Sequence, residues 1–137
     1  MSLYLLDTSI CIAALRDPES ALAKRLGKLM VGEAVISSIV LAKLELGISL
    51  SSRKAENRAA LQAFLHYFPV LDWPANAAAI YGEVRAELQK AGSEIGAMDL
   101  LIATHALSLK ATVITDNEKD FRRVRKLKVE NWLKAIV

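Results

Sequence analysis

The segment Leu3-Tyr4-Leu5-Leu6-Asp7-Thr8-Ser9 opens the chain with four apolar residues in a row and closes on a carboxylate and two hydroxyls. Four apolar residues with no polar face are too few for a helix core. They suit a strand buried on both sides, as in a parallel sheet. The hydroxyls that follow are helix-capping residues. In an open parallel sheet ligands collect beyond the carboxyl ends of the strands, so Asp7 is placed where a bare charge is costly unless paired. A metal ion, a basic side chain or a set of backbone N–H groups would each serve. A plain helix cap is the structural alternative.

Outward from this segment the same grammar recurs. Ser9 to Leu15 reads as a short helix ended by Asp17-Pro18, and Ser20 to Met30 has Leu22, Leu26, Leu29 and Met30 at helical spacing. Ala34-Val35-Ile36 is a short strand ending on Ser37-Ser38, followed by a strongly apolar helix over 39–50 and an amphipathic one over 53–68. Pro69-Val70-Leu71 is a third strand. A helix from Asn76 to about Ala91 stops at Ala91-Gly92-Ser93, and an apolar helix over 100–109 follows Asp99. Thr112-Val113-Ile114-Thr115 is the clearest strand and ends on Asp116-Asn117. Phe121 to Val124 reads as a short helix or turn, and Lys128-Val129-Glu130 as an edge strand. Strands alternating with helices predict an α/β fold, a three-layer α/β/α sandwich around a small, mostly parallel central sheet. With 137 residues and no linker-like stretch, one domain over 1–137 is expected.

Composition narrows the function. Hydrophobic residues make up 53% of the chain, which excludes a disordered sequence. The single cysteine, Cys11, excludes an internal disulfide and a Cys-rich zinc site. Neither a signal peptide nor a membrane span is evident, so a cytoplasmic location with no membrane partner is expected. The net charge of +3 lies wholly in the tail, where 116–137 hold seven Lys/Arg against four Asp/Glu. Arg122, Arg123, Arg125, Lys126 and Lys128 are close together there. Such a cluster attracts phosphate backbones, although a charge run also serves as a solvated face. His66 and His105 lie on amphipathic stretches and read as partly exposed structural residues. Tyr81 and Arg85, at i and i+4, read as helix surface.

Asp7 and Asp116 both follow buried strands and Asp99 starts a buried helix, so a parallel sheet would bring the three to one edge. Carboxylates crowded in water-poor surroundings demand a cation. Oxygen ligands without Cys or paired His favour Mg²⁺ or Mn²⁺. Three unrelated helix caps remain the alternative at this point.

Leu5-Leu6-Asp7-Thr8-Ser9, Ile36-Ser37-Ser38-Ile39 to Gly47, Ile95-Gly96-Ala97-Met98-Asp99 with Ile102-Ala103, and Val113-Ile114-Thr115-Asp116-Asn117 with Phe121 stand in that order along the chain. Together they resemble the PIN-domain nucleases, and within them the VapC-like toxins of toxin–antitoxin pairs. The resemblance implies a metal-dependent endoribonuclease held inactive by a VapB-like antitoxin. It also implies a homodimer within a larger toxin–antitoxin complex. Asp7, Asp99 and Asp116 fall on the family's acidic, metal-holding and catalytic positions, with Asp120 near a less constant one. Thr8, Ser9, Asn117, Arg122 and Arg123 are the expected substrate contacts.

Two positions depart from that pattern. Ser9 stands where the family commonly has Asn, and Lys43 stands where it has a glutamate. Glu45 cannot substitute, because two residues turn a helix by roughly 200°. An ammonium among Asp7, Asp99 and Asp116 would neutralise the acids as a metal otherwise would. The expectation is therefore a chain that binds Mg²⁺ weakly and cleaves RNA poorly. A catalytically inactive module that binds antitoxin or RNA is one alternative. A phospho-acceptor domain of the response-regulator type is another, although its acceptor Asp and its lysine would belong after later strands. The apolar run Leu41, Leu44, Leu46, Ile48 and Leu50 either extends the core or lines a groove for an antitoxin helix.

Overall fold

In a computed structural model describing residues 2–134, the first strand β1 (Tyr4–Leu6) runs through the middle of the sheet. Leu5 and Leu6 are fully buried, as an apolar run without alternation requires when both faces are covered. The chain continues through α1 (Thr8–Arg16), α2 (Ala21–Gly27), β2 (Ala34–Ser37), α3 (Ser38–Leu50), α4 (Lys54–Leu65) and β3 (Val70–Leu71). After these come α5 (Ala77–Lys90), α6 (Ala97–Leu109), β4 (Thr112–Ile114), α7 (Glu118–Phe121) and β5 (Lys128–Glu130).

Among the described residues the sheet has five strands in the order β3-β2-β1-β4-β5, and every pairing is parallel. Tyr4 lies opposite both Ala34 and Thr112, and Leu6 opposite Ile114. Right-handed crossovers send the connections on the two sides of β1 to opposite faces. The result is the expected α/β/α sandwich. The strand order reverses at β1, which opens a crevice at the carboxyl ends of β1 and β4. A response-regulator type domain has the order 2-1-3-4-5, and the observed order excludes it.

Local chemistry sets the element ends. Ser20 Oγ accepts from the Ala23 amide and Ser37 Oγ from the Ile39 amide, so both serines cap the helices they precede. Gly92, at φ 65°, closes α5 where Ala91-Gly92-Ser93 predicts a stop. Near residue 121 the helix begins three residues earlier than expected. Glu118 and Asp120 occupy its first turn, where acidic side chains complement the helix dipole, and Phe121 at its end is fully buried.

Two further expectations change. His105 is buried, with 1% of its surface exposed, rather than partly exposed. Helix α6 is apolar all round, so it packs on both its α3 and α5 sides. The His105 ring then needs an internal partner, and Nδ1 finds Ser37 Oγ at 2.8 Å. The apolar run of α3 also divides. Leu44 and Ile48 enter the core, while Leu46 and Leu50 are 59% and 78% exposed. An apolar groove lies instead between α1, α2 and α4, about 580 Å³ in volume, lined by Leu15, Leu26, Phe64, Tyr67 and Phe68 among others. Leu44 and Ile48 border a neighbouring groove against α1 and α4.

Candidate active site

Asp7 is the first residue beyond β1, and its amide donates to the Ile114 carbonyl, so the β1–β4 ladder itself holds it in place. Its own carbonyl accepts from Ile10 and Cys11 as α1 begins. The side chain is 4% exposed. Thr115 Oγ1 donates to Asp7 Oδ2 at 2.7 Å, whereas Oδ1 is buried with no hydrogen-bond partner, as is Thr8 Oγ1. A buried carboxylate oxygen without a donor is expensive, which marks a place for a positively charged or hydrogen-bonding ligand.

Asp99 sits in the first turn of α6, behind the Gly96 cap. Burial raises its pKa, and the charges of Asp7 and Asp120 push it the same way. The Lys43 ammonium and the Asn117 amide act against that rise. Asp7 and Asp99, remote in sequence, thus share one electrostatic pocket at the reversal of strand order. Asn117 Nδ2 donates to Asp99 Oδ2 and to Asp120 Oδ2, each at 3.2 Å, tying Asp120 to the same pocket.

Asp116 stands on the same sheet edge with its side chain turned elsewhere. Its amide donates to Ser9 Oγ at 3.2 Å, so Ser9 locks the backbone of this loop. Its Oδ1 accepts from Asn131 Nδ2 at 3.0 Å, and that same nitrogen reaches Glu118 Oε2 at 3.2 Å. Lys134, Arg122 and Asn131 hold the Glu118 carboxyl down at about 2. Arg122 also donates to the Val129 carbonyl, and Arg123 donates to the Glu94 carbonyl and pairs with Asp120. Both arginines therefore flank the acids with part of their donor capacity engaged.

Lys43 reaches the pocket. Its Nζ lies 3.8 Å from Asp99 Oδ1, an ion pair longer than a hydrogen bond, with the lysine side chain 33% exposed. Glu45 faces away, in a two-point contact with Arg58 of α4 at 2.6 and 2.9 Å, as the helical rotation between the two positions requires.

Does this pocket suit a hard divalent cation? Mg²⁺ retains several waters and is held by one or two carboxylates together with substrate phosphate oxygens. Asp7 with its unpartnered Oδ1 and Asp99 beside it meet that description. No three His, Cys, Asp or Glu side chains among the described residues stand close enough to complete a larger ligand set. Lys43 competes for the same charge. The two carboxylates fit an ion of that kind.

Two contributors are not singled out by the sequence. Thr115 reads there only as a strand end, although a buried hydroxyl one residue before an acid is a detectable signal. Asn131 carries no local signal, since its role arises only from tertiary contact.

The sequence matches the PIN domain family over residues 4–127. The chain is 41% identical to Ribonuclease VapC2 of Rickettsia felis over 131 residues, covering 95% of this chain and 98% of that protein. It is 36% identical to the tRNA(fMet)-specific endonuclease VapC of Shigella flexneri, covering 94% of this chain and 97% of the relative. Among solved structures, VapBC2 from Rickettsia felis bound to a promoter DNA fragment superposes with a TM-score of 0.87 at 38% identity, covering 95% of this chain and 98% of that one. DNA-bound VapBC from Salmonella typhimurium gives 0.89 at 33% identity, covering 96% and 99%. With the strand order, the acidic crevice and these likenesses in agreement, the chain belongs to the PIN-domain family, among its VapC-like members.

Proposed function

We propose that this chain is a divalent-ion-dependent endoribonuclease, the toxin of a toxin–antitoxin pair, whose cleavage activity is weakened by Lys43. The observation that carries the reading is the meeting of Asp7, with one unpartnered buried oxygen, and Asp99 where the strand order reverses. Asp7 and Asp99 would hold Mg²⁺ or Mn²⁺, and Asp116 is the further acid on that edge. When bound, such an ion supplies an acidified water and positive charge beside a phosphodiester.

The chain's own residues do the rest. Thr115 and the β1–β4 ladder fix the Asp7 carboxylate in one orientation, which is the preorganisation that electrostatic catalysis depends on. Asn117 holds Asp99 and Asp120 at a set separation. Ser9 and Asn117 form a polar rim for the RNA backbone, with Arg122 and Arg123 beside it, whereas the Thr8 hydroxyl is buried and is not placed to make the contact expected of it. The Lys43 ammonium places a fixed positive charge against Asp99 and lowers the pocket's demand for a metal.

The partner is a VapB-like antitoxin. Solved relatives are VapBC complexes, and the α1–α2–α4 groove has the apolar character that accepts an amphipathic helix. A homodimer inside a larger cytoplasmic complex completes the proposal. No helix among the described residues is long and apolar enough to cross a membrane.

The test compares RNA cleavage and Mn²⁺ binding by this chain and by Lys43→Glu. Restored cleavage and tighter binding in the variant are expected. Equal activity in both would refute the role given to Lys43. Cleavage by neither, with intact antitoxin binding, would favour the inactive binding module that the Lys43–Asp99 pair also permits.

A further inference from the structure

Two asparagine amides sort the acids of this edge into separate pairs. Asn117 Nδ2 joins Asp99 to Asp120, within the pocket that also feels Asp7. Asn131 Nδ2 joins Asp116 to Glu118, on the side of β5. The orientation of the Asn131 amide is dictated by its other end, because Oδ1 accepts from the Leu133 amide at 2.9 Å. Its NH₂ group must then face the two carboxylates. Glu118 is in turn paired with Lys134 at 2.6 Å and Arg122 at 3.1 Å, so the local positive charge favours keeping carboxylates there. Asp116 therefore has a fully formed resting place outside the Asp7–Asp99 pocket, and no three acids among the described residues converge on one point.

We propose that Asn131 is a positioning residue that withholds Asp116 from the Asp7–Asp99 pocket, leaving the third acidic side chain available to a divalent ion only when the Asp116–Asn131 contact opens. The inference rests on the reading of that pocket as a divalent-ion site. It makes metal affinity depend on the segment after β5, which contributes nothing to the pocket directly. The Asp116 amide donates to Ser9 Oγ, so its backbone is tied to α1 independently of Asn131.

The experiment is calorimetric titration of the full chain with Mn²⁺, comparing Asn131, Asn131→Ala and Asn131→Ser, each with Lys43 and with Lys43→Glu. Circular dichroism checks folding. Serine keeps an acceptor for the Leu133 amide yet is too short to span both carboxylates, which guards against loss of the 131–133 turn in the alanine variant. The Lys43→Glu background removes the competing ammonium. Both substitutions at 131 are expected to tighten Mn²⁺ binding there by about tenfold, the lower end of what hydrogen-bond partners of metal ligands change. Adding Asp116→Asn should abolish that gain.

Unchanged affinity would overturn the proposal. Weaker affinity would overturn it too, by showing that the amide presents Asp116 as a ligand. Failure of the parent reading is distinct: Lys43→Glu would then bind no Mn²⁺ whatever occupies position 131, and the proposal falls with it.

Discussion

Asp7 and His105 are both deeply buried ionisable side chains, and they are accommodated differently. Asp7 has one oxygen satisfied by Thr115 and the other left open, the pattern of a group kept for a ligand. His105 is wholly internal, its Nδ1 on Ser37 Oγ beside the α3 cap. Burial depresses the His105 pKa below its ordinary value. Because the unfolded chain takes up that proton more readily, the folded state loses stability as pH falls through the ordinary histidine range near 6.5 and on toward the depressed folded value. Urea melts between about pH 7 and pH 5 should therefore show falling stability. His105→Asn, which keeps an acceptor for Ser37, should flatten that slope. An unchanged slope would assign the acid sensitivity to other groups.

Among the elements, α4 is thinly anchored for its length. It is exposed over most of its length, and Leu61 is its one buried residue. The Glu45–Arg58 contact adds an exposed link to α3, and exposed pairs contribute little. Leu61→Ala should cost about 2–5 kcal/mol in chemical denaturation. Since α4 also forms one wall of the 580 Å³ groove, antitoxin binding should weaken in the same variant, measurable by co-purification or calorimetry. Stability loss with unimpaired partner binding would place the antitoxin elsewhere. Helix α3 has a different division of labour. Its buried line, Leu44 and Ile48, anchors it, and the same helix carries Lys43 into the acidic pocket and Glu45 away from it.

For the molecule as a whole, the distribution of charge matters more than the net +3. Arg122 and Arg123 at the crevice already serve internal carboxylates and carbonyls. Arg125 and Lys128 are exposed, have no side-chain partners among the described residues, and remain available to a phosphate backbone. Binding of a short single-stranded RNA in the presence of a chelator should weaken linearly on a logarithmic salt scale, and the slope should fall by about 0.7 for each phosphate that is no longer neutralised. Alanine at positions 125 and 128 should lower that slope. The same change at exposed Lys54 and Lys90, on helices α4 and α5, should not. A slope unaffected by the tail residues would remove them from the RNA path.

Much of this protein was legible along the chain because parallel sheets write themselves in local patterns. Leu3 to Leu6 and Val113-Ile114, apolar without alternation, mark strands covered on both faces. Serines at 20 and 37 mark helix starts, and the acids after strands mark the carboxyl edge. The departure at Lys43 came instead from the family resemblance, and helical periodicity then sends Glu45 to the other side. The tertiary structure decided where side chains point. His105 is internal because two helices close over α6, a fact its own neighbours in sequence do not encode. Asp116 reaches the expected edge, yet its carboxylate turns to Asn131, and Asn117 links Asp99 to Asp120 instead. Backbone placement follows from short-range pattern and strand pairing. Side-chain direction at a crowded acidic rim follows from competition among hydrogen-bond donors brought there by distant parts of the chain, and only the folded arrangement settles that competition.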